Sequence, residues 1–259
     1  YQLPTSGPIF AITTILLSGC SDPHLEYQNA QISNGLIYEN KANEPFTGTL
    51  NNTSPSTQEN VSFQIMLNTY DANMSNVYGG VYGLLNPQAI DTRNLRCTTG
   101  VKIGYLDGNI TCFTPSTTTK QYEENYTKGT LDGTVKFYAV DGETVLTEGI
   151  INKDLIDGDF NIYSPTNRNV IDEHHYNKES PDGIQRTHDD KTRAITSEQS
   201  VSSNISNYIK TFTPEGKPLG EITVERDGVT IKNKRWDPKT GVLIDELMSK
   251  NCNYAGPSK

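Results

Sequence analysis

Leu106-Asp107-Gly108, Leu131-Asp132-Gly133, Ile156-Asp157-Gly158 and Pro181-Asp182-Gly183 are four copies of one turn signal, 25 residues apart. Five residues after each glycine stands a ring: Phe113, Tyr138, Tyr163 and His188. Ten residues after each ring stands an acid: Glu123, Glu148, Glu173 and Glu198. A fixed period of this length means stacked supersecondary units rather than one compact core. Apolar residues sit two and four places after the glycine, as Ile110 and Cys112, Val135 and Phe137, Phe160 and Ile162. That is the period-two pattern of a strand with one buried face. A turn follows, marked by Pro115, Asp141-Gly142, Pro165 with Asn167, and Asp189-Asp190. Return strands then begin at Lys120, Val145, Val170 and Ile195. Each unit reads as a β-hairpin with short polar connections.

Working outward, the copy around Gly183 is the weakest, with Gln185 and Thr187 in place of the buried pair. After a one-residue deletion the cycle resumes at Phe212-Thr213-Pro214-Glu215-Gly216-Lys217. A last copy gives Trp236-Asp237-Pro238-Lys239-Thr240-Gly241, with Glu246 ten residues after Trp236. Tyr38 lies three periods before Phe113, so the ring column is expected to comprise Tyr38, Phe113, Tyr138, Tyr163, His188, Phe212 and Trp236. Residues 34–50 read as a first repeat, a strand, a turn and a second strand. Residues 51–96 interrupt the period. Val61, Phe63, Ile65 and Leu67 alternate like a strand, while Met66, Tyr70 and Met74 keep helical spacing, so this insertion is expected to be partly helical or irregular. The repeats occupy 97–247, and 248–259 reads as a polar tail. The fold class expected is all-β: an elongated single-layer antiparallel sheet of repeated hairpins.

Composition agrees. Hydrophobic residues make up 34% of the 259, and the formal charge is −9, with acids spread along the chain. Abundant Tyr, Thr, Asn, Asp and Gly suit twisted strands and polar turns rather than a thick core. The acidic balance disfavours nucleic acid as a partner. It also offers no basic patch to anionic lipid.

Near the N-terminus, the apolar run Ile9–Leu17 ends in Leu17-Ser18-Gly19-Cys20, too short for a typical membrane span. This resembles the lipobox of bacterial lipoproteins. The resemblance implies that 1–19 are a signal peptide, that Cys20 is lipidated, and that 20–33 form a tether. Ser21 after the cysteine implies outer-membrane sorting, with the chain facing the periplasm. In that oxidising compartment a disulfide between Cys97 and Cys112 is expected, because a hairpin centred near Gly104 sets them opposite each other. The alternative is two independently buried thiols. Cys252 has no obvious partner.

The repeat chain resembles the bacterial MORN-variant family, often labelled a YwqK-like antitoxin component. The matching pieces are Asn34-Gly35-Leu36-Ile37-Tyr38-Glu39 with Pro45-Phe46-Thr47-Gly48, then the Leu-Asp-Gly, aromatic, Asp-Gly or Glu-Gly-Lys, and Glu cycle. The resemblance covers 34–50 and 97–247, and implies a row of antiparallel hairpins forming a long, curved sheet. The antitoxin label implies a toxin as protein partner.

Chemistry-bearing candidates are few. Asp172-Glu173-His174-His175 suggests a metal site using His174 with His188, yet adjacent histidines on a strand point to opposite faces. Asp157-Gly158-Asp159 hints at calcium, but such sites need several oxygens converging in one short loop. Nucleophile-elbow, zincin, phosphate-loop and CxxC motifs are absent from the sequence. No metal, no cofactor and no enzymatic activity are therefore expected. The rings read as a packing ladder. The glutamates Glu123, Glu148, Glu173, Glu198 and Glu246 either pair with Lys128, Lys153 and Lys178, which share the period, or form an acidic stripe for a basic partner. The expected function is a membrane-anchored, non-catalytic protein-binding or structural scaffold. The alternative is an immunity-type protein that neutralises a toxin by direct binding.

Overall fold

The structure, a computed structural model, describes residues 22–53, 95–115, 117–203, 205–225 and 230–250. The expected signal peptide, Cys20, Cys252 and the greater part of both the expected insertion and the expected tail lie outside these residues. Four strands precede the repeats: β1 (His24–Glu26), β2 (Ala30–Ser33), β3 (Leu36–Glu39) and β4 (Gly48–Thr53). The repeats begin with β5 (Arg96–Lys102), β6 (Tyr105–Phe113), β7 (Lys120–Thr127), β8 (Thr130–Leu131), β9 (Gly133–Tyr138) and β10 (Val145–Asn152). They continue with β11 (Leu155–Tyr163), β12 (Val170–Asn177), β13 (Ser180–Pro181), β14 (Gly183–His188) and β15 (Ile195–Ser202). The last four are β16 (Ile205–Phe212), β17 (Pro218–Val224), β18 (Thr230–Trp236) and β19 (Leu243–Lys250).

All but β2 and β3 join one 17-stranded sheet. From β4 onward it is an antiparallel meander, and β1 adds to β4 in parallel. Among the described strands the sheet is open, with β1 and β19 at its edges. The all-β fold of repeated hairpins is thus what the period predicts.

Two connections alternate. One is a two-residue turn with both residues at positive φ: Ile103 51° and Gly104 80°, Lys128 50° and Gly129 82°, Lys153 51° and Asp154 69°, Lys178 48° and Glu179 67°. This is the geometry whose twist matches that of paired strands. The other is a longer turn closed by backbone bonds such as Ala139 to Thr144, Ser164 to Asn169 and Asp189 to Ala194.

The Leu-Asp-Gly signal is not a turn. Asp107-Gly108 and Asp157-Gly158 lie inside the continuous strands β6 and β11, and Asp132 and Asp182 only interrupt theirs. The signal instead holds the next unit. Gly129, Asp154 and Glu179, the second residues of three tight turns, donate their N–H to the carbonyls of Leu106, Leu131 and Ile156 at 2.8 Å each. The side chains of Asp107 and Asp157 accept from the N–H of Lys128 and Lys178. Where the Asp-Gly kink passes Gly100 the register shifts between Thr99 and Val101, and a Cβ on Gly100 would stand 2.3 Å from the Asp107 carbonyl oxygen.

The N-terminal expectations need correction. Residues 22–33 are not a free tether, since β1 pairs with β4 and β2 pairs with β3 around the Asn34-Gly35 turn. Buried Leu25, packing with Ile37, Leu50 and Val101, is what fastens this segment. In residues 34–50 the two strands do not pair with each other, because β3 is taken by β2 and β4 lies between β1 and β5. Tyr38 consequently leaves the ring column: it stands three residues after its tight-turn glycine, whereas Phe113 stands nine after Gly104.

The core lies on one face of the N-terminal half of the array. Ile110, Tyr122, Phe137, Phe160, Ile162 and Ile171 belong to one buried cluster that runs from Leu95 to Tyr176. One cross-strand row shows why it fades: Cys112, Tyr122, Phe137, Thr147, Ile162 and Asp172 are followed by Thr187, Ser197, Thr211 and Gly220. Apolar side chains give way to hydroxyls and glycine, so less area leaves water.

Candidate functional site

The face opposite the core carries the glutamate and ring columns, and the sheet brings them together. Each glutamate sits on the second strand of a hairpin, and its cross-strand neighbours come from the flanking first strands. Register runs Glu123, Lys136, Glu148, Asn161, Glu173, Arg186 across successive strands. It goes on through Glu198, Lys210, Glu221, Lys234 and Glu246. The glutamates are therefore not an acidic stripe, because a row of Lys and Arg, broken once by Asn161, is interleaved with them.

Contacts follow this register. Lys136 Nζ lies 3.0 Å from Glu148, and Arg186 Nε lies 3.0 Å from Glu198. Arg186 also approaches Glu173 at 3.9 Å, and Lys234 approaches Glu246 at 4.0 Å. Lys128, Lys153 and Lys178 take no part, since their backbones are committed to the tight turns at positive φ. Cross-strand opposite charges stabilise a sheet by roughly 0.2–1 kcal/mol per pair, and like charges directly opposite destabilise it. Alternation is thus what permits a glutamate on every second strand.

The rings complete the arrangement. The Tyr138 hydroxyl donates to Glu123 and the Tyr163 hydroxyl to Glu148, in each case 15 residues back. His188 repeats the contact less tightly, with Nε2 3.5 Å from Glu173, an ion-pair distance without hydrogen-bond alignment. Phe212 has no donor, and Tyr208 takes over, donating to Glu198 at 2.9 Å. Phe113 and Trp236 stand opposite Lys120 and Leu243. Lys120 Nζ caps the Tyr138 ring at 4.1 Å and lies 3.0 Å from Glu123.

Electrostatics agree with this geometry. Burial, then the Glu123 carboxylate it donates to, pushes the Tyr138 hydroxyl above its ordinary pKa. The Glu148 contact raises Lys136. Burial works against ionising Glu198, yet the Tyr208 hydroxyl and Arg186 outweigh it and hold that carboxyl below the usual range.

The histidines divide as strand alternation requires. His174 Nε2 meets the buried Asp172 at 2.6 Å on the core side, and His175 Nδ1 meets Asp159 at 2.8 Å on the other. His174 and His188 thus face opposite ways and do not share a metal. Asp157 is occupied by Asn152 and the Lys178 N–H, so the Asp157-Gly158-Asp159 carboxylates do not converge. Among the described residues no cluster of three His, Cys, Asp or Glu side chains is placed to hold an ion.

Cys97 and Cys112 are cross-strand partners joined in a disulfide. Two features escaped the sequence reading. Lys136, Arg186, Lys210 and Lys234 each stand two residues before a ring, a column hidden by Thr111 and Asn161. Glu124 is fully buried and accepts from the Tyr122 hydroxyl on the core side, where period two predicts an apolar residue. A cavity of about 370 Å³ also opens between the β2–β3 ribbon and the sheet, with Ile37, Leu50, Thr99 and Ile110 in its wall.

No protein-family model and no curated protein matches the chain. Among solved structures it is similar to the crystal structure of TarM, with a TM-score of 0.29 and 11% identity over 54% of this chain and 26% of that one. It is also similar to a mutant of S. aureus TarM in complex with fondaparinux, alpha-GlcNAc-glycerol and UDP, with a TM-score of 0.25 and 8% identity over 54% and 27%. The chain spans about a quarter of those structures, and likeness this loose carries no argument.

Proposed function

We propose that this is a lipid-anchored cell-envelope protein whose hairpin array serves as a non-catalytic scaffold, a spacer or platform for other proteins. The observation that carries the reading is the laterally paired face. Its charges and hydroxyls are paired with one another from strand to strand, which stiffens a long sheet. The Leu17-Ser18-Gly19-Cys20 lipobox supports the anchor. Several acyl chains, each contributing about 0.8 kcal/mol per buried CH₂, would hold it firmly on the outer membrane facing the periplasm. The immunity-type alternative drew on an open acidic stripe, and a basic toxin would first have to displace the cations already seated there.

Fractionation tests the anchor. Wild-type protein is expected in the membrane pellet, and Cys20→Ser should move it to the soluble fraction with the sheet intact by circular dichroism. Wild-type protein that is soluble from the outset would overturn the reading.

A further inference from the structure

Where the apolar core fades, the core face turns polar in an ordered way. Along one cross-strand row Val135, Gly149 and Phe160 lead to His174. On the following strands Gln185 stands opposite Gln199. A cavity of about 360 Å³ opens over these three polar side chains, with Pro181, Val201 and Ser206 also in its wall. Polar groups on a core face cost stability unless they are hydrogen bonded, and the supporting ones are. Asp172, 3% exposed, accepts from the Thr187 hydroxyl at 3.0 Å and meets His174 Nε2 at 2.6 Å. Phe160 stacks on the His174 ring, with centroids 5.8 Å apart. Gln185 accepts from the His175 N–H at 2.9 Å and donates to the His175 carbonyl at 3.0 Å. The floor of the cavity is therefore fixed from behind.

We propose that this cavity binds a neutral, hydroxyl-rich ligand of monosaccharide size. Asp172 draws the ring proton of His174 to Nε2, so in the neutral imidazole Nδ1 is an acceptor, and no described residue donates to it. A ligand hydroxyl donates to Nδ1 and accepts from the half-buried Gln199, whose carboxamide brings both donors and an acceptor. Pro181 and Val201 offer apolar wall to the C–H face of a sugar ring. An anion finds no Lys or Arg among the described residues that line the cavity. An apolar ligand would bury Nδ1 and the Gln199 carboxamide unpaired, which costs more than the contact returns. Small-molecule sites typically take this form, a concavity of roughly 300–1,000 Å³ with apolar walls and a few placed polar groups. The site does not depend on the lipid anchor, and it gives the scaffold a ligand of its own.

Imidazole nitrogen NMR on the full chain carrying Cys20→Ser tests this, with D-glucose, D-galactose, D-mannose and N-acetyl-D-glucosamine each added alone. At least one sugar is expected to move the His174 nitrogens in a saturable way at concentrations on the order of millimolar. The signals of His175 and His188, which face the other side of the sheet, should stay in place. Gln199→Ala should weaken that binding about tenfold, as the loss of one hydrogen bond does, with circular dichroism unchanged. Failure of all four sugars to move His174 would overturn the proposal. So would a response of His174 that is undiminished in Gln199→Ala.

Discussion

At the scale of single residues, the side chains that matter most join one unit to the next. Asp107 and Asp157 each accept from the N–H of a lysine at positive φ in the following tight turn. Asp157→Ala leaves that N–H to water and frees the turn, and removing such a cap costs about 1 kcal/mol. A drop of roughly 2–4 °C in melting temperature is expected for a protein of this size. Asp159→Ala, whose carboxylate meets only the exposed His175, serves as the control and should move it much less. The repetition of Asp107 and Asp157 was legible in the sequence, but their role was not. Asp-Gly is a strong local turn signal, and here a partner 21 residues away overrides it.

At the scale of elements, the hairpin is set by two turn chemistries and the ladder by register. The longer turns are legible because their side chains cap their own backbone. Asp141 accepts from the N–H groups of Glu143 and Thr144, and Asp189 from those of Lys191 and Thr192. The Thr144 and Thr192 amides lead in holding these carboxyls below their ordinary pKa. The ladder is less legible, because a cation column broken by Thr111 and Asn161 shows no period until the strands are laid side by side. Lys136 is the place to test it, standing between Glu123 and Glu148. Lys136→Glu puts three carboxylates in a row and is expected to cost about 1 kcal/mol, measured by denaturant unfolding. The cost should shrink as salt rises through 0.1 M and beyond, where the screening length falls to about 10 Å. A salt-independent loss would point to packing rather than charge.

At the scale of the whole molecule, one sheet holds two regimes of burial. The larger buried cluster lies between Leu95 and Tyr176, a smaller one joins Leu25, Ile37, Leu50 and Val101, and beyond Tyr176 Val201 is the one buried apolar residue among those described. Opening free energies follow local burial. Amide exchange should therefore be slowest in β6–β12 and fastest in β16–β19, and uniform protection along the array would contradict this. The decline was half visible in the sequence, where Gln185 and Thr187 replace the apolar pair. The fold class was legible because every unit repeats the same alternation. The N-terminal pairing was not, since a three-residue strand such as β1 carries no period of its own.

The strict division of labour between the two strands of a unit bears on how such an array can grow. From Glu123 onward the second strand always brings the acid, while the first brings Lys, Arg or Asn. Copying or deleting a whole 25-residue unit thus leaves the sign of every neighbour unchanged, and the turns that grip Leu106, Leu131 and Ile156 still find a backbone carbonyl in the same place. A change in copy number lengthens or shortens the sheet without a single compensating substitution.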